Sequence, residues 1–221
     1  MAGTIFEGST TPLQSWYFVI YLFSVSKNGV SAKEIERQLG VTYKCAWRIG
    51  HKVRELMTSK ESFKLEGTIE VDETLFGGRF RGGKRGWGAE NKTCLLGMIE
   101  RGGRVKTTPV PNRERDTLMP IIEANVEKGT MINTDEYKGY RTLKEKGYNH
   151  NRVIHSKYQW KAEDAHTNSI EGYWSNLKKS ILGTHTYVSP KHLTSYLNEF
   201  DFRHNKRGKN IVIFDEILKS L

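Results

Sequence analysis

The apolar residues of this chain change their spacing once, and that change limits what the chain can fold into. From about residue 12 to about residue 60 they recur at helical intervals, and from Thr68 onward they follow strand periodicity. The order predicts a small all-α module ahead of a larger α/β domain.

In the helical part, Leu13, Trp16, Tyr17, Ile20 and Phe23 form one stripe expected to be buried. Asn28-Gly29 breaks the pattern. Ser31-Ala-Lys-Glu34 reads as a capping box opening a helix that runs to Leu39. Gly40-Val41 turns the chain, and Thr42 can cap a third helix with Ala46, Ile49, Val53 and Leu56 facing inward. Two short helices across a tight turn make a candidate helix-turn-helix. Its second helix would present Tyr43, Lys44, Trp47, Arg48, His51 and Lys52 to the major groove of DNA. An ordinary helical hairpin with a solvated basic face shares this pattern. The Gly40 turn, the small Ala46 and the basic outer face favour the DNA reading.

Strands are expected at Thr68–Phe76, Lys92–Glu100 and Arg104–Val110, followed by a helix near Asp116–Glu127 and a strand at Thr130–Thr134. A helix at Tyr137–Lys146, a strand at Arg152–His155, and helices at Asn168–Leu182 and Pro190–His204 complete the series. This is the order of an RNase-H-like mixed sheet flanked by helices, with an antiparallel edge. The expected division is a helix-turn-helix module over 1–62, the RNase-H-like α/β domain over 63–206 and a C-terminal tail over 207–221.

Charge narrows the partner. Lys and Arg number 35 against 25 Asp and Glu, a net +10 that suits a polyanion whose phosphates they neutralise. The segment Gly77 to Gly88 combines Gly-Gly pairs with Arg79, Arg81, Lys84 and Arg85. With Lys191, His192 and Arg203 of the last helix, it is expected to clamp DNA backbone. Cys45 and Cys94 alone make neither a four-thiolate zinc site nor a disulfide framework. The stretch Trp16–Val25 is too short to span a bilayer, and no secretory signal is visible. A cytoplasmic, nucleoid-associated protein is expected.

Three acids stand in distinctive settings. Asp72 lies inside a strand, Asp135 ends a short apolar one, and Glu171 opens a late helix. A carboxylate in a β-rich segment is costly to bury unless a cation compensates it. The first and fourth strands are neighbours in an RNase-H-like sheet, so Asp72 and Asp135 can converge, with Glu171 brought to the same end. Hard oxygen ligands suit Mg²⁺. Two such ions, about 3.5–4 Å apart, serve phosphodiester chemistry. Each acid also has a plainer role: Asp135 can simply end a strand, and Asn168-Ser-Ile-Glu171 can be a capping box. Ile170, Trp174, Leu177 and Ile181 form the helix's buried stripe, and Lys178 lies two turns past Glu171 on its edge.

Several motifs occur together in order: Val71-Asp-Glu-Thr-Leu-Phe-Gly-Gly78, Asn133-Thr-Asp-Glu-Tyr137, His166-Thr-Asn-Ser-Ile-Glu-Gly-Tyr-Trp174, Gly183-Thr-His-Thr-Tyr-Val-Ser-Pro-Lys-His-Leu193 and Glu199-Phe-Asp-Phe-Arg-His-Asn205. Through them the sequence, from about Gly3 to Asn205, resembles the ISXO2-like transposases of the IS1595 insertion-sequence family. The resemblance implies a DNA transposase that cleaves strands at transposon ends and transfers the 3′-hydroxyl into target DNA, with Mg²⁺ or Mn²⁺ as a pair of ions. It implies Asp72 and Asp135 as metal ligands. The third ligand is Glu or Asn in such proteins, so Glu171 is preferred with Asn168 in reserve, and Lys178 stands beside them. Transposon ends and target duplex are the implied partners, in a homo-oligomer and without a membrane. Family members usually carry a zinc ribbon ahead of the segment matching Gly3–Gly8, and this sequence begins where the ribbon would end. The alternative expectation is therefore a truncated, catalytically inactive copy that binds DNA.

Overall fold

The computed structural model describes residues 2–59, 63–78, 92–153, 166–207 and 212–221. In chain order its helices are α1 (Leu13–Val25), α2 (Ala32–Leu39), α3 (Tyr43–Leu56), α4 (Arg115–Asn125), α5 (Asn168–His185), α6 (Pro190–Lys206) and α7 (Ile213–Leu218). Its strands are β1 (Thr68–Phe76), β2 (Thr93–Glu100), β3 (Val105–Val110), β4 (Met131–Thr134) and β5 (Asn149–Arg152). The chain divides into two compact units, residues 1–60 with 179–221, and residues 61–178. These units do not coincide with the expected boundaries: α6 and α7 group with the N-terminal helices.

The first unit is helical. Ser31 accepts a hydrogen bond from the Glu34 amide at 3.1 Å and starts α2. Glu34 itself bonds Arg37 and Gln38, so only one arm of the expected box forms. Gly40 ends α2 in the left-handed region, at φ 65°, where a side chain would be strained. Thr42 then caps α3 by accepting from the Cys45 amide at 3.3 Å. The inward face of α3 is the expected one: Ala46, Ile49, Val53 and Leu56 are all buried. On α1 the buried stripe is Trp16, Val19, Ile20 and Phe23, while Leu13 and Tyr17 are exposed. The segment Leu13–Val25 has no charged residue. Apolar spacing alone could not choose its inner face, and packing against α3 and α7 does. A buried ion pair ties α3 to α6: Arg54 Nε donates to Glu199 Oε2 at 2.8 Å, and Arg54 also donates to the Val30 carbonyl at 2.9 Å.

The second unit is built on a five-stranded sheet of order β3-β2-β1-β4-β5. β1, β2 and β3 are antiparallel neighbours, while β4 and β5 run parallel to β1. That is the RNase-H-like mixed sheet expected from the order of elements. Ile69, Val71, Leu96, Met98 and Ile132 pack on one face with Leu118, Met119 and Ile122 of α4, all buried. On the other face, Ile170 and Trp174 of α5 lie against Gly97 of β2.

Two expected elements differ. The helix expected over Tyr137–Lys146 is a short 3-10 turn, Lys138–Tyr140, followed by further turns. Gly139 sits where a β-carbon would come within 2.6 Å of the Tyr137 ring, and Tyr140 and Leu143 drop into the core instead of lining a helix face. The last strand begins earlier than expected, at Asn149. Gly147, at φ 88°, ends the turn before it, and β5 pairs in register with β4 from Met131↔Asn149.

Candidate active site

The site begins with register. β4 pairs with β1 through Val71↔Thr134. Continuing that register by one residue sets Asp135 beside Asp72. Among the described residues, Asp72, Glu73 and Asp135 offer ligand oxygens that all lie within 4.8 Å of one another. Asp135 is fixed by its neighbours, since its Oδ1 accepts from the Tyr137 amide at 3.0 Å. Burial, then the negative charge of Asp135, push the Asp72 carboxyl up from 3.8 to about 6, and the charge of Glu171 adds to the rise. The Trp174 indole N–H lies near enough to offset part of this shift, without a hydrogen bond of standard geometry.

Glu73 joins these acids although nothing in the sequence reading singled it out. Burial raises it from 4.5 to about 7, against the pull of the Tyr140 hydrogen bond and the nearby Arg113 charge. The fully buried Tyr140 hydroxyl donates to Glu73 Oε1. The Arg113 guanidinium lies over the Tyr137 ring, its Cζ 3.5 Å from the ring centre. Crowded, partly desolvated carboxylates that hold protons to near neutrality are suited to a hard divalent cation, which would relieve their repulsion.

Glu171 sits on the first turn of α5, exposed, its Oε1 accepting from Thr167 Oγ1 at 2.9 Å. Its charge reaches Asp72, yet it lies outside the tight group of three. Asn168 is the first residue of α5 and is exposed. The buried Glu70 of β1 performs the capping that the sequence suggested for Asn168. Glu70 accepts from the amides of Ser169 at 2.7 Å and Ile170 at 3.1 Å. Lys178 donates from Nζ to Thr74 Oγ1, two residues past Asp72 on the same strand face. Burial lowers its pKa while the Asp72 charge holds it up.

The expected DNA-contacting residues divide. Lys44 and Lys191 are exposed. Arg48 donates to Ser9 Oγ at 3.3 Å and Lys52 pairs with Glu55 at 2.9 Å. Trp47 packs on His51 and His192, with ring centres 4.0 and 5.2 Å away. Arg203 differs from its expected role as a backbone clamp. Its side chain, 9% exposed, donates to Glu199 and to the Ser26 carbonyl, so its donors are engaged inside the helical unit. Arg79, Arg81, Lys84 and Arg85 lie outside the described residues.

A sheet of this order, with carboxylates of its central strand β1 gathered beside Asp135 just past the end of β4, defines an RNase-H-like domain with an acidic cluster. Residues 64–205 match the ISXO2-like transposase domain, and the chain belongs to that family. It is 24% identical over 219 residues to a protein of the transposable element ISH50 from Halobacterium salinarum, covering 91% of this chain and 72% of that one. It is 29% identical over 102 residues to a transposase-like protein of Haemophilus influenzae, covering 46% of this chain and 81% of that one. Among solved structures, a chain of the simian T-cell lymphotropic virus intasome bound to a PP2A regulatory subunit aligns at TM-score 0.42 and 13% identity, over 86% of this chain and 69% of that one. A chain of the Mos1 pre-cleavage transpososome aligns at TM-score 0.34 and 10% identity, over 97% and 80%. Among the described residues, no helix is long and apolar enough to cross a membrane.

Proposed function

We propose that the chain is an active DNA transposase that cleaves strands at transposon ends and joins the released ends to target DNA. The observation that supports this best is the convergence of Asp72 and Asp135, carried by adjacent strands, within one group of ligand oxygens. In this reading Asp72, Asp135 and Glu171 hold two Mg²⁺ or Mn²⁺ ions, with Asn168 as the reserve ligand and Glu73 beside them. Such ions, when bound, activate water and stabilise the departing oxygen of a phosphodiester.

The chain's own residues supply position and charge. Asp72 lies within β1, and Asp135 directly follows β4 and is held by the Tyr137 amide, so their carboxylates need little reorganisation when substrate arrives. Lys178, held on Thr74 beside Asp72, offers a cation to substrate phosphate. Hydrolysis breaks a P–O bond at the transposon end and leaves a 3′-hydroxyl. That hydroxyl then attacks a target phosphodiester, forming one P–O bond as another breaks, so no covalent protein intermediate is needed. The helix-turn-helix, through Lys44, Trp47, Arg48 and Lys52, and the basic segment with Arg79, Arg81, Lys84 and Arg85 would bind duplex DNA, together with Lys191 and His192. Two ends must be cut and joined, which calls for a homo-oligomer working on DNA in the cytoplasm, at the nucleoid.

The test is cleavage and joining of DNA carrying the element's terminal repeats, with Mg²⁺ or Mn²⁺. Asp72→Asn and Asp135→Asn are each expected to abolish cleavage while leaving DNA binding nearly intact. Cleavage at near wild-type rate by either variant removes that residue from the site. DNA binding by the wild-type chain with no metal-dependent cleavage would leave a DNA-binding protein without the enzyme activity.

A further inference from the structure

Glu70 has no solvent exposure, and its carboxylate partners among the described residues, including His166 Nδ1 at 3.1 Å, gather at the start of α5. Its Oε2 accepts from the backbone amides of Ser169 and Ile170, and its Oε1 accepts from Ser169 Oγ and Arg101 Nε, both at 3.0 Å. Arg101 also donates to the His166 carbonyl at 3.1 Å, fixing the chain just before α5. The first amides of a helix have no partner within it and carry partial positive charge, so a buried carboxylate is well matched there. What distinguishes this cap is its origin. It comes from β1, on the strand face that also carries Asp72 two residues later, and it grips the residue immediately before Glu171.

We propose that Glu70 is a positioning residue, a latch that sets where Glu171 stands relative to Asp72. β1 and α5 are separate elements, and nothing in either alone fixes the distance between their acids. Glu70 joins them with three hydrogen bonds to Ser169 and Ile170, at an offset of two residues from Asp72 and of one from Glu171, and a fourth ties it to Arg101. Thr167, just before the helix, completes the arrangement by donating to Glu171 itself. Loosening the latch should therefore weaken metal binding through Glu171 while leaving the sheet intact. This inference rests on the proposed metal-dependent function.

The experiment is a double-mutant cycle on the full chain, reading the Mn²⁺ dissociation constant by electron paramagnetic resonance, with circular dichroism to check folding. Glu70→Gln keeps the shape but turns one acceptor into a donor facing the α5 amides or Arg101. It is expected to weaken Mn²⁺ binding by about tenfold, the usual lower range for groups that orient metal ligands. In a Glu171→Gln background the same change should cost less than about twofold, because residues acting through one another are not additive. A merely structural role would give equal losses in both backgrounds, and that result overturns the proposal, as does a folded Glu70→Gln chain with unchanged Mn²⁺ affinity. Should Glu70→Gln fail to fold, Ser169→Ala removes a single bond of the latch. A smaller loss that vanishes in the Glu171→Gln background supports the proposal, and no loss overturns it. If the wild-type chain binds no Mn²⁺, the functional reading fails and the latch falls with it. Wild-type binding with an unmoved Glu70→Gln constant overturns the latch alone.

Discussion

Gly97 stands directly opposite Asp72 in the antiparallel register of β1 and β2. The Trp174 ring occupies the space where a larger residue at 97 would place its first side-chain carbon, 2.4 Å from Trp174 Cζ2 and 2.8 Å from Ile170 Cδ1. The missing side chain lets α5 approach the sheet closely at the level of the acidic group. Gly97→Ala is therefore an overpacking change, expected to cost about 1–3 kcal/mol. It should also impair cleavage, since Trp174 borders Asp72. Combining it with Trp174→Phe, whose ring lacks the clashing atoms, should recover part of the stability in denaturant unfolding. A Gly97→Ala chain as stable as wild type would mean that α5 does not pack this closely.

The protonation of the acids gives a pH signature. Asp72 and Glu73 titrate at about 6 and about 7 in the folded, metal-free chain, against ordinary values of 3.8 and 4.5. The folded state thus holds protons that the unfolded state has released. Their contribution to stability is fully present below about pH 4 and is lost as pH rises through 6 to 7. Divalent ions favour the ionised acids. The rise in melting temperature caused by Mg²⁺ should then grow from pH 5 to pH 8, relative to chelator-treated protein. In Asp72→Asn that growth should shrink sharply. A metal effect independent of pH would contradict this assignment.

How much of this was readable in advance depends on what each residue answers to. The strand order and the inner faces of α3 and α5 were legible because many apolar positions vote together, as Ile170, Trp174, Leu177 and Ile181 do. Asp72 and Asp135 stood out because an acid in a strand-like segment is costly. Glu70 and Glu73 share that same strand, yet their partners come from remote positions: Ser169, Ile170 and Arg101 for one, Tyr140 for the other. No local pattern encodes such pairings. Gly97 was silent for a similar reason, since only the packed ring of Trp174 explains it. The grouping of α6 with the N-terminal helices has no local signal, because Arg54 and Glu199, which hold α3 to α6, lie 145 positions apart.

That ion pair yields its own prediction. Arg54 and Glu199 are 3% and 0% exposed, and Arg203 donates to the same carboxylate. Burial alone would raise the Glu199 pKa, but Arg54 and Arg203 outweigh it and hold the group below the usual carboxylate range. Its stabilisation is present above the ordinary carboxylate pKa and is lost as pH falls through the lowered one. Arg54→Met should destabilise the chain by about 1–3 kcal/mol at neutral pH, because it leaves the buried Glu199 carboxylate with Arg203 as its remaining guanidinium partner among the described residues and removes a charge-assisted hydrogen bond. Adding Glu199→Gln should restore part of the loss. Urea unfolding at pH 7 decides, and a loss under about 1 kcal/mol would place the pair among weak surface bridges.

The proposed third metal ligand, Glu171, can be separated from its neighbour Asn168 by charge. Glu171→Gln keeps the shape of the side chain and can still accept from Thr167, but it loses the charge that acts on Asp72. It is expected to abolish metal-dependent cleavage and to lower the Asp72 pKa slightly. Asn168 is exposed at the start of α5, where Glu70 already satisfies the Ser169 and Ile170 amides. Asn168→Ala should then cost no more than about 1 kcal/mol, the scale of a helix-cap change, and leave cleavage largely intact. An active Glu171→Gln beside a folded but inactive Asn168→Ala would reverse the two roles.

Binding of DNA by the helical unit should depend steeply on salt, and the structure ranks the side chains that contribute. Each phosphate neutralised on duplex DNA adds about −0.9 to the slope of log K against log salt concentration. Lys44 is exposed on the first turn of α3, whereas Arg48 and Lys52 already bond Ser9 and Glu55 within the unit. If Lys44 meets a phosphate, Lys44→Ala should make the slope shallower by about one and weaken binding alike on terminal-repeat and scrambled DNA. If it reads a base instead, the loss should fall mainly on the terminal repeat, by about 1–3 kcal/mol, with a smaller change in slope. Arg48→Ala should lose stability as well as affinity, because its guanidinium also lies over the buried Trp16 ring, 5.8 Å from the ring centre. Affinities measured on both DNAs across a salt series, with a melting curve for each variant, separate these outcomes. Unchanged slopes and affinities for both variants would show that α3 does not engage DNA.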